Sequence, residues 1–174
     1  MKKRFNWSKW TRKTHYWGSF IIILPISIVI TTGLLLQLKK EIKWIQPLTQ
    51  NGKISNNPSI SFDDILSAVK TADKTNIQTW EDIDRLDVRI DKGIVKVRGK
   101  NHWEVQIDTK TKEVLQIAYR RSDIIEQLHD GSWFTDKVKF LIFLPSGIIL
   151  FILWLTGIYM TIVPYAIKWK KNKL

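Results

Sequence analysis

The sequence predicts a membrane protein in which two transmembrane α-helices flank a small α+β domain. Two apolar runs, residues 18–38 and 140–163, contain no charged residue. At about 1.5 Å of rise per residue, each run can cross a hydrocarbon core about 30 Å thick. Between the runs, residues 39–139 include stretches in which apolar and polar side chains alternate, as they do in half-buried strands. We therefore expect two spans that enclose one folded domain.

Both ends of the chain are basic. The first segment, residues 1–17, is rich in tryptophan and has no acidic residue, and the last segment, residues 164–174, also has none. Basic residues beside a span mark its cytoplasmic side. We therefore predict interfacial or cytoplasmic termini, an extracytoplasmic (periplasmic) domain over residues 39–139, and a place in the bacterial cytoplasmic (inner) membrane. The basic residues are Lys2, Lys3, Arg4, Lys9, Arg12, Lys13, Lys168, Lys170, Lys171 and Lys173.

Both spans contain a Thr-Gly dipeptide, at Thr32-Gly33 and at Thr156-Gly157. Small residues let helices approach closely in a membrane, and hydroxyl groups can hydrogen-bond between them. We therefore expect the spans to pack together. The first run is also longer than the apolar core of a signal peptide, which has about 7–15 residues, so it predicts a permanent anchor.

One helix and four short strands are predicted between the spans. Ser61 followed by Asp64 is a capping-box pattern at a helix start. Segments with strand composition follow at residues 86–90, 94–97, 103–107 and 114–118, and turn residues separate them. A helix followed by four strands predicts a small α+β domain. A short helix at residues 122–127 then leads to the second span.

Composition and motifs exclude several classes of function. The chain has no cysteine, which excludes disulfides and thiolate metal sites. Its net charge of +12 is concentrated at the membrane edges, which favours a role in topology over nucleic-acid binding. The sequence has no nucleophile elbow, no His-Glu-x-x-His motif and no glycine-rich phosphate loop. We therefore predict no catalytic residue and no nucleic-acid partner.

Three segments resemble a known family. Residues 102–115, His-Trp-Glu-Val-Gln-Ile-Asp-Thr-Lys-Thr-Lys-Glu-Val-Leu, resemble the end of a PepSY domain, with Lys112 where that pattern usually has glycine. Residues 12–18, with His-Tyr-Trp-Gly, and residues 119–132, with Leu-His-Asp-Gly-Ser, resemble span entrances of PepSY-associated transmembrane proteins. The chain is thus identified as a short, two-span member of that family with a PepSY-like domain.

The resemblance implies iron uptake and iron-regulated expression, because larger members reduce siderophore iron with haem held by span histidines. It points to His15 and His129 as candidate ligands of haem b. These residues precede the two spans at opposite membrane faces, whereas a bis-histidine haem needs both rings about 2 Å from one iron. Haem binding would therefore require an oligomer or a partner's histidine. As structural residues, His15 would anchor the span at the interface and His129 would hydrogen-bond within its turn.

Acidic residues near His129 form a second candidate site. Carboxylate and imidazole ligands can bind a divalent metal. Spacings of three and four residues, however, equally describe a solvated helix face that Arg120 and Arg121 neutralise. We therefore predict no metal site. The acidic residues are Asp123, Glu126, Asp130 and Asp136.

Two functions remain open. In the first, the chain is a non-enzymatic accessory protein of the lipid bilayer. Its extracytoplasmic domain binds a peptide or protein, and its spans pack in a larger membrane complex or homo-oligomer. In the second, it is an oligomeric haem protein of iron uptake or electron transfer. A visible absorption spectrum distinguishes the two.

Overall fold

The computed structural model describes residues 7–54 and 59–171, and it confirms the predicted fold class. Two helices are long and apolar enough to cross a membrane, over Lys9–Gln37 and Asp136–Ala166. A four-stranded antiparallel sheet lies between them in the sequence. The basic residues Lys2, Lys3, Arg4 and Lys173 lie outside the described residues.

The chain divides into two compact units. The helix pair comprises Met1–Gly33 and Gln127–Leu174, and the central domain comprises Leu34–Glu126. In helix α1 (Trp7–Gln37), the tryptophan-rich lead-in continues into the first span without a break. Four further elements follow the sheet: α3 (Arg121–Asp130), α4 (Asp136–Val138), a π-helical turn (Lys139–Phe143) and α5 (Leu144–Lys171).

The π-helical turn has a local cause in Pro145. Proline has no N–H to donate to the carbonyl four residues earlier, and its ring crowds that carbonyl. The turn before Pro145 is wider than an α-helical turn, and the Leu144 N–H bonds to the Lys139 carbonyl. Turns of this kind inside helices are frequent at functional sites.

In the central domain, α2 (Phe62–Lys70) packs on a sheet in the order β1-β2-β3-β4. The predicted capping box is confirmed, because Asp64 N–H donates to Ser61 Oγ at 3.1 Å and Ser61 N–H donates to Asp64 Oδ2 at 2.9 Å. Ile65 and Val69 of α2 join valine and isoleucine side chains of β2 and β3 in the core. The strands are β1 (Ile83–Arg89), β2 (Ile94–Gly99), β3 (Trp103–Asp108) and β4 (Val114–Tyr119).

The PepSY pattern usually has glycine at the position of Lys112, between β3 and β4, and the backbone conformation there gives the reason. The φ of Lys112 is +65°, in the left-handed region that glycine adopts without steric cost. Lys112 Nζ pairs with Asp64 Oδ2 at 2.9 Å, which offsets part of that cost. The hydrogen bonds from the Ser61 N–H and from Lys112 lower the pKa of Asp64 to about 2.

Candidate functional site

His129 lies near the end of α3 and contacts the second half of α1. Its Nδ1 is 3.0 Å from Thr32 Oγ1 and 3.1 Å from the Val29 carbonyl oxygen. Thr32 Oγ1 itself donates to the Ile28 carbonyl at 2.6 Å. Both neighbours of Nδ1 are therefore acceptors, and the proton of the neutral ring lies on Nδ1. The other ring nitrogen, Nε2, then carries a lone pair.

Gly33 gives the His129 ring room beside α1. A Cβ atom at position 33 would lie 3.3 Å from His129 Cε1, which is tighter than ordinary van der Waals contact. In the Thr32-Gly33 dipeptide, the threonine thus supplies an acceptor and the glycine supplies space. This pairing was not predicted from the sequence.

His15 repeats this arrangement on the other span. Its Nδ1 is 3.3 Å from Thr156 Oγ1, and Thr156 Oγ1 donates to the Leu153 carbonyl at 2.9 Å. The neutral ring again carries its proton on Nδ1. A Cβ atom at Gly157 would lie 3.9 Å from His15 Cε1, an ordinary contact. The histidine before each span therefore packs on the Thr-Gly dipeptide of the other span.

The two histidines lie at opposite ends of the helix pair. His129 contacts Thr32, and at about 1.5 Å per residue the stretch of α1 from His15 to Thr32 is about 25 Å long. Haem iron lies about 2 Å from each of its histidine ligands. One iron atom therefore cannot contact both histidines of one chain.

Each histidine borders an apolar groove of the helix pair. The groove beside His15 has a volume of about 570 Å³, and the groove beside His129 has a volume of about 580 Å³. Volumes of this size accept small ligands. Among the residues that the structure describes, none hydrogen-bonds to Nε2 of either histidine. Aromatic and small residues line the grooves, including Trp154 and Gly157 in the first and Phe140, Phe143, Gly147 and Phe151 in the second.

An ion pair lies beside the second groove. Lys139 Nζ is 2.6 Å from Asp130 Oδ2. Burial opposes ionisation of Asp130, but hydrogen bonds from Lys139 and Ser132 outweigh it and lower the pKa to about 2. Because the lysine and the carboxylate neutralise each other, this end of the groove has no net charge from the pair.

The other acidic residues that the sequence grouped with His129 form ion pairs of the central domain. Asp123 accepts a hydrogen bond from Arg120 Nε at 3.1 Å, and Glu126 pairs with Lys39 Nζ at 2.8 Å. Within residues 7–54 and 59–171, no group of three or more His, Asp or Glu side chains is placed to hold a metal ion.

The central domain buries charged residues on the face of the sheet opposite its core. Lys96, Glu104 and Arg120 are between 1% and 3% exposed. Arg120 Nη1 donates to Glu104 Oε2 at 2.7 Å, and Lys96 Nζ lies 3.7 Å from Glu104 Oε1. Burial lowers the pKa of Lys96, and the charge of Glu104 opposes that shift. The alternating pattern predicted a half-buried sheet, so this buried face was missed.

Residues 45–53, here called the strap, cover this charged face. The N–H groups of Gln50 and Lys53 donate to the side chains of Gln106 and Asp108, each at 2.7 Å. Burial opposes ionisation of Asp108, but its backbone hydrogen bonds, including the one from Lys53, lower its pKa overall. Contacts within the domain hold this network, although the buried Nε of Arg98 has no hydrogen-bond partner among the described residues and lies 3.7 Å from Glu104 Oε2.

The central domain also exposes large apolar side chains. Phe62 is 70% exposed and Trp80 is 39% exposed, and their rings meet edge to face with centroids 5.7 Å apart. Ile90 is 64% exposed. An aromatic pair exposed on a domain surface, as Phe62 and Trp80 are, is typical of sites that bind a protein or peptide.

The family model described as the PepSY-associated TM region matches residues 12–172. The match covers both spans, the central domain, and both histidines with their Thr-Gly partners. No curated protein matches the chain. No solved structure matches it either.

Proposed function

The chain belongs to the PepSY-associated transmembrane family, and from this premise we propose that it is a non-enzymatic membrane accessory protein. Its central domain binds a peptide or protein on the extracytoplasmic side, and its spans pack in a larger membrane complex or homo-oligomer. The exposed Phe62–Trp80 pair is the observation that carries this proposal, because it belongs to the central domain and not to a span.

The size of the two rings makes their exposure informative. Aromatic side chains each bury about 150–250 Å² when they are fully covered, and they are enriched at the centres of interfaces. A partner that covers Phe62 and Trp80 therefore removes a large apolar area from water. The exposed face of α2 nearby supplies polar groups for the rim of such a contact, including Asp63.

A pull-down from native membranes in mild detergent tests the proposal. We expect a defined partner or a homo-oligomer to co-purify with the wild-type chain, and the Phe62→Ala, Trp80→Ala double variant to recover at least threefold less of it. Ile90→Ala is the matched control, because Ile90 is also exposed and lies in the turn directly after β1, outside the Phe62–Trp80 ring pair. A chain that purifies alone and monomeric would contradict the proposal.

The orientation in the bacterial inner membrane belongs to the same proposal. It is supported by Lys9, Arg12 and Lys13, which lie at the start of α1 without an acidic neighbour in the sequence. Because the chain has no cysteine, a single cysteine at exposed Lys74 reports on the central domain alone. We expect a membrane-impermeant maleimide to label Lys74→Cys in intact spheroplasts. Labelling only after lysis would reverse the orientation.

A second candidate function, haem binding by an oligomer, is favoured by the two histidines. His15 and His129 both direct a protonated Nδ1 to acceptors and leave a lone pair on Nε2 beside a groove. Hydrogen bonds at the second nitrogen orient metal-ligating histidines in this way. Each histidine would supply one ligand of haem b, and another chain would supply the second. Bound haem would provide one-electron chemistry.

A visible spectrum of the purified membrane protein tests this candidate. We expect a Soret band that His129→Ala or His15→Ala abolishes, depending on which groove holds the haem. The absence of a Soret band, or a band that neither variant changes, would remove haem from consideration. The accessory role would stand in either case, because the pull-down does not depend on the histidines.

A further inference from the structure

A further groove of the helix pair begins beside Arg12 and is here called the Arg12 groove. Its volume is about 490 Å³, and α5 contributes Met160 to its wall. The lining residues of α1 follow one another at the three- and four-residue spacing of a single helix face, which places Arg12 at one end and Ile23 at the other. These residues are Arg12, His15, Tyr16, Ser19, Phe20 and Ile23.

The positive charge at the Arg12 end of the groove is not neutralised by the described part of the chain. Among residues 7–54 and 59–171, Arg12 forms no ion pair and no hydrogen bond. Glu41 is the first acidic residue of the sequence, and none follows Asp136. The second groove differs, because Asp130 there pairs with Lys139 at 2.6 Å. The Arg12 groove therefore has charge complementarity for an anion, and the second groove does not.

The Arg12 groove matches one leaflet of a bilayer in length. From Arg12 to Ile23, α1 rises about 16 Å at about 1.5 Å per residue. Half of a hydrocarbon core about 30 Å thick is about 15 Å. Beyond Arg12, the wall includes Tyr16, Phe20 and Ile23, which are 63–68% exposed in the chain. An acyl chain that runs from its headgroup towards the bilayer centre therefore fits the groove in length and in polarity.

Tyr16 lies one helical turn from Arg12, between the charged end of the groove and its apolar remainder. Tyrosine is enriched at this level of a membrane, where one end of the ring is apolar and the hydroxyl is polar. Among the described residues, the Tyr16 ring contacts Trp17, and its hydroxyl has no hydrogen-bond partner. Because a hydroxyl in a membrane needs an acceptor, the ester or phosphate oxygens of a lipid suit this position.

We propose that the Arg12 groove binds one anionic phospholipid, such as phosphatidylglycerol. The Arg12 guanidinium donates two hydrogen bonds to the phosphate, Tyr16 donates one to a neighbouring lipid oxygen, and an acyl chain lies along Phe20 and Ile23. A zwitterionic headgroup binds less well, because its own ammonium group competes with Arg12 for the phosphate. This site belongs to the helix pair and does not depend on what the central domain binds.

Native mass spectrometry of the full chain released from detergent tests the headgroup contact. In an equimolar mixture of phosphatidylglycerol and phosphatidylethanolamine with the same acyl chains, we expect the chain to retain phosphatidylglycerol preferentially. Arg12→Gln should lower that preference about fivefold, the effect of one basic residue near anionic headgroups. Lys13→Gln is the matched control, because it removes the same charge from a residue that does not line the groove. Equal losses for the two variants would mean general attraction without a site and would overturn the inference.

Filling the groove tests the acyl-chain contact. Ile23→Trp adds volume at the far end without changing charge, and it should lower the retained phosphatidylglycerol about threefold because it removes apolar contact area. Ile21→Trp is the control, since Ile21 is exposed but does not line the groove, and it should leave binding unchanged. Glycerol 3-phosphate, which has the phosphate without the chains, should not displace the lipid. Displacement by it, or equal effects of the two tryptophans, would overturn the inference.

Discussion

The central domain and the helix pair both bury polar side chains, but they satisfy them with different partners. In the central domain, Glu104 lies among Lys96, Arg98 and Arg120, with distances of 2.7–3.7 Å. In the helix pair, buried hydroxyls bond to carbonyls of their own helix, as Thr32 does with Ile28. The first arrangement joins distant segments through charges, and the second satisfies each helix internally.

This difference indicates which interactions stabilise each unit. In a hydrocarbon environment backbone and hydroxyl groups must find partners within the protein, and a carbonyl of the same helix is the nearest. The two histidines with their threonines supply polar contacts between the parts of the helix pair. In the helix pair, shape at the glycines should therefore matter more than charge, whereas the reverse should hold in the central domain.

The largest expected loss of stability follows removal of Glu104, the carboxylate at the centre of the charged face of the central domain. Glu104→Ala leaves the buried Lys96 and Arg120 and the half-buried Arg98 without their common partner, and loss of one member of a buried pair costs about 3–5 kcal/mol. Hydrogen exchange of β2 and β3 amides should report that loss in opening free energy. Glu81→Ala, at an exposed position, is the control and should change it by less than about 0.5 kcal/mol. A loss below about 1 kcal/mol would show that water reaches Glu104 in solution.

The next effect tests shape in the helix pair. Gly33→Val places side-chain atoms against His129, since a Cβ there already lies 3.3 Å from Cε1, and overpacking costs about 1–3 kcal/mol. Gly147→Val is the matched control, because no atom lies within 4 Å of a Cβ at that position. Thermal unfolding in nanodiscs should show a loss of stability for Gly33→Val and little change for Gly147→Val. Equal effects would refute the role assigned to Gly33.

A smaller effect concerns the loss of stability of the two units in acid. Each unit contains an aspartate whose pKa is about 2, Asp64 in the central domain and Asp130 in the helix pair. An unperturbed Asp has a pKa of about 3.9. The stability that these groups contribute is therefore present above about pH 4 and is lost as the pH falls through the folded value near 2. Between pH 5 and 2, Asp64→Asn should flatten the acid response of the central domain alone, and Asp130→Asn that of the helix pair alone. Hydrogen exchange measured for each unit separates the two responses, and a variant that alters the acid response of the other unit would contradict this assignment.

The smallest expected effect is a gain in stability rather than a loss. Lys112→Gly relieves a positive φ, worth about 1 kcal/mol, but removes an ion pair with Asp64 that solvent screens. We expect a net gain of less than about 1 kcal/mol in the stability of the central domain by denaturant unfolding. Lys110→Gly is the control, as Lys110 lies in the same turn without a positive φ. A clear loss for Lys112→Gly would mean that the ion pair outweighs the strain.

Much of the fold was predictable because its signals are local. The two apolar runs, the Ser61–Asp64 capping box and the four strands each depend on neighbours in the sequence, and the structure confirms them. The helix predicted at residues 122–127 is longer in the structure, Arg121–Asp130, because His129 and Asp130 find partners that the sequence does not reveal.

The missed features depend on distant contacts. An alternating strand pattern shows which side chains share a face, but not that the strap covers the polar one. The pairing of His129 with Thr32-Gly33, and of His15 with Thr156-Gly157, likewise joins residues far apart in the chain. The signals were nevertheless present, since both spans contain Thr-Gly and both have a histidine near their start.

The strap also has a consequence for the time course of folding. Leu48, in the strap, accepts a hydrogen bond from Gln106 Nε2 across a sequence separation of 58 residues. At about 5–20 residues per second, Gln106 leaves the ribosome about 3–12 s after Leu48. During that interval the strap has no sheet to bind, although α1 is already complete. Exclusion of water from Glu104 and its cations is therefore a late event in the maturation of the nascent chain, and a slow translation step between the strap and β3 would prolong the exposed state.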